Sequence, residues 1–152
     1  MEDLSTRKVI KILQKGSENS CTVELLQGNI VRKIFNSRNP IHFFKEVISL
    51  KKLQGSRHIP KIYKIEHNKI YMEYCGQSLN NNSKLKIPSD WKKQVKSIIN
   101  HLIKNKINHN DILPKNICII NNTIKLIDFE LANSIYSEKM LSKLESIIKK
   151  RC

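Results

Sequence analysis

His109-Asn110-Asp111-Ile112-Leu113-Pro114-Lys115-Asn116, with Asp128-Phe129-Glu130 beginning twelve residues after Asn116, is the stretch whose reading decides the fold. The loop it belongs to runs from Ile107 to Asn116 and carries Pro114 among several polar residues. Between the two polar groups, Ile117 to Ile120 and Ile124 to Ile127 predict two short strands turning at Asn121-Asn122. Such a hairpin returns the chain to its start, which brings Asp128 back beside Asn116. Alone this says little about chemistry, because Asp, Asn and His are ordinary turn formers and an aspartate can simply end a strand.

Upstream, Ser89 suits the cap of a helix running through Lys104. Its apolar face is Trp91, Val95, Ile98 and Leu102, with Ile99 and Ile103 beside it. Downstream, Ser137 suits the cap of a last helix carrying Leu141, Leu144 and Ile148. The first half has a different period. Val9 to Leu13, Cys21 to Leu26, Ile30 to Phe35, Ile62 to Glu66 and Ile70 to Tyr74 predict strands, with turns at Gly28-Asn29 and His67-Asn68. One helix interrupts them: Asn39 caps it, Pro40 takes its first position and Gly55 stops it. Asn80-Asn81-Asn82-Ser83 reads as a linker. The order predicts an α+β fold of two lobes: a β-rich N-lobe with one helix over 1–75, a hinge and linker over 76–88, and a reduced helical C-lobe over 89–152.

The polar loop and the downstream triplet resemble the catalytic loop and metal motif of protein kinases, H-R-D with four residues before Asn, then D-F-G. Three polar positions fall at the family's spacing, with the preceding helix and the intervening hairpin in place. The resemblance implies a role for each. Asp111 accepts the proton of a hydroxyl nucleophile, and Asn116 offers its amide oxygen to Mg²⁺. Asp128 bridges metal and phosphates, while His109 braces the loop through its backbone.

Lys33, in Ile30-Val31-Arg32-Lys33-Ile34, resembles the V-A-I-K lysine that holds the α- and β-phosphates of ATP. Its implied partner is Glu46, which shares a helix face with Phe43, Leu50 and Leu53, where a lone carboxylate is costly to bury. A one-residue register slip would give the phosphate role to Arg32. Gly16-Ser17-Glu18-Asn19-Ser20 stands where the glycine-rich flap belongs, with one glycine of the G-x-G-x-x-G pattern left and Val23 as its final position. Small side chains at Ser17 and Ser20 still let backbone N–H groups approach phosphates. Met72-Glu73-Tyr74-Cys75-Gly76 resembles a kinase hinge. That implies an adenine edge bonded by the backbone of Glu73 and Cys75, with Val31, Met72 and Ile127 around the base.

Four departures set limits. Asn110 replaces the arginine that reads a phosphorylated activation loop in many protein kinases, and Glu130 replaces the glycine after Asp-Phe. Both changes resemble choline, ethanolamine and aminoglycoside kinases. Lys115 lies four residues after Asp111 rather than two, and still reaches the transferring phosphate from there. Only 24 residues follow Asp128, with no A-P-E motif and no peptide platform. The pattern resembles a minimal, C-terminally shortened serine/threonine protein kinase, like the compact RIO-type kinases and the stripped kinases of large DNA viruses.

Composition removes other classes. With 28 Lys+Arg against 13 Asp+Glu the net charge is +15, yet 23 of the basic residues are Lys and five are Arg. A groove-reading nucleic-acid protein leans on arginine, and the abundance of Lys, Asn and Ile suits A/T-rich codons instead. Nucleic acid is therefore set aside as a partner. No apolar run approaches the ~18 residues that span a bilayer, so no membrane partner is expected. Met1-Glu2-Asp3-Leu4 does not resemble a secretory leader. The cysteines at 21, 75, 118 and 152 form no Cys-x-x-Cys pair, which argues against zinc and disulfides and for a reducing cytoplasm, the host's if the source is a virus. The expectation is a phosphotransferase using ATP and Mg²⁺ on a protein substrate. A small-molecule alcohol is the alternative acceptor, and a pseudokinase that binds nucleotide or a partner without turnover is the third reading.

Overall fold

The computed structural model describes residues 2–17, 20–38, 40–80, 84–135 and 137–152. Five strands, β1 (Val9–Gln14), β2 (Thr22–Leu26), β3 (Ile30–Ile34), β4 (Ile62–Glu66) and β5 (Lys69–Glu73), form an antiparallel sheet in the order β1-β2-β3-β5-β4. The β2–β3 turn places both Gly28 (φ 90°) and Asn29 (φ 59°) in the left-handed region, as a two-residue hairpin demands. Helix α1 (Ile41–Leu53) crosses between β3 and β4 and buries Glu46, Ser49, Leu50 and Leu53. Pro40 stands just before the helix rather than within it, and the expected cap Asn39 lies outside the described residues.

The second half is built on α2 (Trp91–Lys104), the hairpin β7 (Ile117–Ile120) and β8 (Thr123–Leu126), and α3 (Lys139–Lys149). Asn121 and Asn122 both take positive φ and close the hairpin. Ser89 does not cap α2: the chain turns at Pro88, whose carbonyl accepts from the Trp91 N–H at 3.1 Å, and no side chain caps the first turn. Ile103, beside the apolar face, is 42% exposed, and the polar Gln94 is buried along with that face. On α3 the buried face is Met140, Leu144 and Ile148, with Leu141 at its margin. Ser137 does meet the helix start, accepting from the Lys139 N–H at 3.3 Å.

One strand was not anticipated. β6 (Gln77–Ser78) leaves the first sheet and pairs with β7, making a second sheet in the order β6-β7-β8. Gly76 makes this possible, because its φ of +84° and the Ile119 carbonyl 2.8 Å from where a Cβ would stand exclude any other residue. The stretch after it is not a free linker among the described residues. Leu79 is buried, its N–H donates to the Ile117 carbonyl at 2.9 Å, and Leu85 and Ile87 pack on the core.

A single apolar cluster runs through both halves, from Val31, Leu50 and Met72 to Ile98, Leu126 and Leu144. Each fully buried Leu in it contributes about 1.5–3 kcal/mol. The halves are also sewn together by polar bonds from the last residue of α1 and the segment after it. His58 Nδ1 meets the Ile124 carbonyl at 2.7 Å, the Leu126 N–H donates to the His58 carbonyl at 2.9 Å, and His101 Nε2 meets the Leu53 carbonyl at 2.8 Å. Among the described residues no helix is long and apolar enough to cross a membrane.

Candidate active site

The polar loop and β8 are held to each other at one residue, Ile127. Its N–H donates to the Asn116 carbonyl at 2.9 Å, and its carbonyl meets His109 Nε2 at 2.8 Å. The other ring nitrogen, Nδ1, accepts from the Asp111 N–H at 3.1 Å. The two bonds fix the imidazole as the neutral Nε2–H tautomer. Burial also pushes the His109 pKa below the usual histidine range. Asn116 then reaches back, its Nδ2 donating to the Asp111 carbonyl at 2.8 Å and to Asp111 Oδ2 at 2.9 Å. Asp111, Asn116 and the start of Asp128-Phe129-Glu130 are thereby one unit. Phe129 anchors it below, fully buried and edge-on to the His109 ring at 4.7 Å.

Asp128 emerges from this clamp with φ 65°, a left-handed conformation that a non-glycine residue adopts at some cost. The turn aims its carboxylate at Lys33 on β3, 3.2 Å away. The same ammonium meets Glu46 of α1 at 2.8 Å and Glu130 at 3.5 Å. Strand alternation decides the register: Lys33 points inward, while Arg32 turns to the other face and pairs with Glu24 at 2.8 Å. Three carboxylates thus share one buried ammonium. Burial works against the Lys33 charge, but Glu46, Asp128 and Glu130 outweigh it and hold its pKa well above the ordinary lysine value. Glu46 is the most deeply enclosed of the acids, and burial pushes it up to about 7 against the pull of Lys33. Asp128 is less enclosed: burial raises it, Lys33 more than compensates, and it stays below the usual carboxylate range. Oxygens of Glu46, Asp128 and Glu130 all lie within 4.8 Å of one another.

Lys115 is more loosely placed, with its side chain half exposed and Nζ 3.9 Å from Asp111 Oδ2. Asn110, also at positive φ, donates through Nδ2 to the Leu131 carbonyl at 3.1 Å. Above the floor, the flap between β1 and β2 closes on itself. The Gly16 N–H donates to Thr22 Oγ1 at 3.1 Å, the Ser17 N–H to Ser20 Oγ at 2.9 Å, and the two serine hydroxyls meet at 3.0 Å. The N–H groups expected to face phosphates are therefore engaged within the loop; Glu18 and Asn19 lie outside the described residues.

A family model of the protein kinase domain matches residues 6–148. The chain belongs to the protein kinase family. A search of the curated proteins finds no matching relative. The match runs from before β1 into α3, and membership makes phosphoryl transfer the general chemistry of the family.

After β5 comes the segment that the sequence reads as a hinge. The Glu73 N–H is spent on the Lys61 carbonyl at 2.8 Å, so of its backbone groups the carbonyl is the one nearer to free; it accepts from the Cys75 thiol at 3.6 Å. Among the described residues the Cys75 N–H has no acceptor. Val23, Val31 and Met72 contribute to the core on the same sheet. Two contacts were missed from sequence. Cys21 is buried beside the floor and donates its thiol to Glu130 Oε2 at 3.3 Å, with burial pushing its pKa up to about 12. Lys125 is buried in β8, donating to Glu73 Oε1 at 2.9 Å and to the Arg57 carbonyl at 2.7 Å. A cation set between Ile124 and Leu126 in a short apolar strand was the available signal.

Proposed function

We propose that this protein is an ATP- and Mg²⁺-dependent phosphotransferase acting on serine or threonine hydroxyls of a protein substrate. The observation that carries the reading is the single clamp at Ile127 that gathers Asp111, Asn116 and Asp128 from three places in the chain. Both contacts to the Asp111 carboxylate, from Asn116 and Lys115, fall on Oδ2, which leaves Oδ1 to take a proton from an acceptor hydroxyl. As that proton moves to Asp111, the hydroxyl oxygen forms its bond to the γ-phosphorus and the bond to the ADP oxygen breaks. Lys33 holds the α- and β-phosphates, and Lys115 steadies the transferring group. Asp128 and the Asn116 amide oxygen are hard oxygen donors of the kind Mg²⁺ takes, so they fit the ion. Bound there, Mg²⁺ would neutralise charge on the phosphates.

Glu46 keeps Lys33 in place, and His109 fixes the loop. Gly16, Ser17, Ser20 and Val23 form the roof, and Glu73 and Cys75 the edge that meets adenine. A small-molecule alcohol is the weaker reading, because Glu130 turns toward Lys33 and Cys21 rather than into an acidic pocket for a cationic acceptor. The self-bonded flap favours a nucleotide-binding module without turnover, and the same experiment separates it. Transfer of labelled γ-phosphate to a generic basic protein is expected from the wild type. Asp111→Ala should lower it about 10²–10⁴-fold with ATP binding kept. Equal transfer by both proteins would remove Asp111 from the chemistry. ATP binding with no transfer by the wild type would favour the binding module.

A further inference from the structure

We infer that Lys125 is a positioning residue that couples the base end of the nucleotide site to its metal end. This rests on the proposed reading of Glu73 and Cys75 as the segment that meets adenine. Lys125 is a buried ammonium in a strand otherwise committed to the core, and its one anionic partner among the described residues is Glu73, at 2.9 Å. A second bond, to the Arg57 carbonyl at 2.7 Å, fixes the ammonium from the side of the segment after α1. Glu73 is itself tied to Lys61, the residue just before β4. Its N–H donates to the Lys61 carbonyl at 2.8 Å, and its Oε1 accepts from the Lys61 N–H at 3.3 Å.

On the other side, Lys125 stands three residues before Asp128, on the strand whose continuation at Ile127 is clamped by His109 and Asn116. One side chain therefore ties the segment after β5 to the strand that delivers Asp128. The register of β7 with β8 leaves no slack between them, since Cys118 pairs with Lys125 and Ile117 with Leu126. A buried charge cannot release its partner cheaply, so the pair sets the spacing between base edge and phosphate end. Bringing adenine to Glu73 and Cys75 then also brings the phosphates to Lys33 and Asp128.

The test compares a ligand that spans both ends with one that fills only the phosphate end. Calorimetry on the full chain would measure ATP and inorganic tripolyphosphate, each with Mg²⁺, against wild type, Lys125→Met, Glu73→Gln and Lys125→Arg. Wild type should prefer ATP. In Lys125→Met the ATP affinity should fall at least about fivefold, with tripolyphosphate affinity unchanged, so that the preference shrinks. Glu73→Gln, at a partly exposed side chain, should give the same selective loss if Lys125→Met does not fold. Lys125→Arg should restore the preference. A folded Lys125→Met or Glu73→Gln that keeps the wild-type preference would overturn the proposal, as would an equal loss of both ligands. A wild type with no preference for ATP over tripolyphosphate would instead overturn the base-binding reading beneath it.

Discussion

The cluster around Lys33, the floor of the proposed site, and the flap between β1 and β2 satisfy their polar groups in opposite ways. Lys33 on the floor meets Asp128 across 95 positions of chain, and Cys21 meets Glu130 across 109. Among the described residues of the flap, the bonds from Gly16 to Thr22 and from Ser17 to Ser20 close within six positions. The floor is therefore fixed by the fold and remains electrostatically incomplete, with three acids on one ammonium. Among its described residues the flap bonds locally from Gly16 to Ser20, and a distant tie stands at its end, where Cys21 meets Glu130. A nucleotide that brings a divalent cation answers the floor's excess of negative charge, whereas it must break the flap's own bonds to use its N–H groups.

The largest test of this contrast is to remove the cation that the three acids share. Lys33→Met leaves Glu46, Asp128 and Glu130 facing one another, and should cost about 3–5 kcal/mol of stability in a denaturant titration. A loss under about 1 kcal/mol would mean that the acids are solvated and the floor is not built as described.

A smaller effect comes from the proton on Glu46. Its pKa is 4.5 in an ordinary setting and about 7 in the fold, so between those values the folded chain holds a proton that the unfolded chain has released. That contribution is complete below the unfolded pKa and is lost as pH rises through the folded one. The melting temperature of wild type minus that of Glu46→Gln should therefore fall as pH rises from about 4.5 through about 7. A difference that rises over this window would reverse the assignment. His58 and His109, both lowered by burial, work the other way in both proteins and cancel in the difference.

The smallest effect belongs to the flap. Ser20→Ala frees the Ser17 N–H and should change stability by no more than about 0.5 kcal/mol, with a modest gain in ATP affinity. A clear loss of affinity would show that the closed flap, not an opened one, meets the phosphates.

Legibility in the sequence followed the same division. The hairpin, the succession of strands along the chain and the polar positions 109, 111, 116 and 128 could be placed because period and spacing survive without knowledge of partners. Lys33 over Arg32 was the harder choice, and it was decided by which face of β3 meets α1, a tertiary fact. β6 was invisible because two residues carry no period, and only Gly76 hinted at the change of direction. Ser89 looked like a cap, yet a turn at Pro88 had already met the first helical N–H. The inward aim of Cys21 and Glu130 left no local trace, since Cys21 turns to Glu130 and Glu130 to Lys33 and Cys21, all distant along the chain. Leu141 was misplaced by one helical position, where Met140 fills the core instead, and the buried Gln94 gave no apolar signal to read.

The most direct test of the central claim is calorimetric titration of ATP with Mg²⁺ and with chelator at high salt, on wild type and Asp128→Asn. The account predicts binding by wild type that requires Mg²⁺ and survives salt, and loss of that Mg²⁺ requirement in Asp128→Asn. Binding of equal strength with and without Mg²⁺, unaffected by Asp128→Asn and abolished by salt, would show attraction of a polyanion to a basic surface and contradict it.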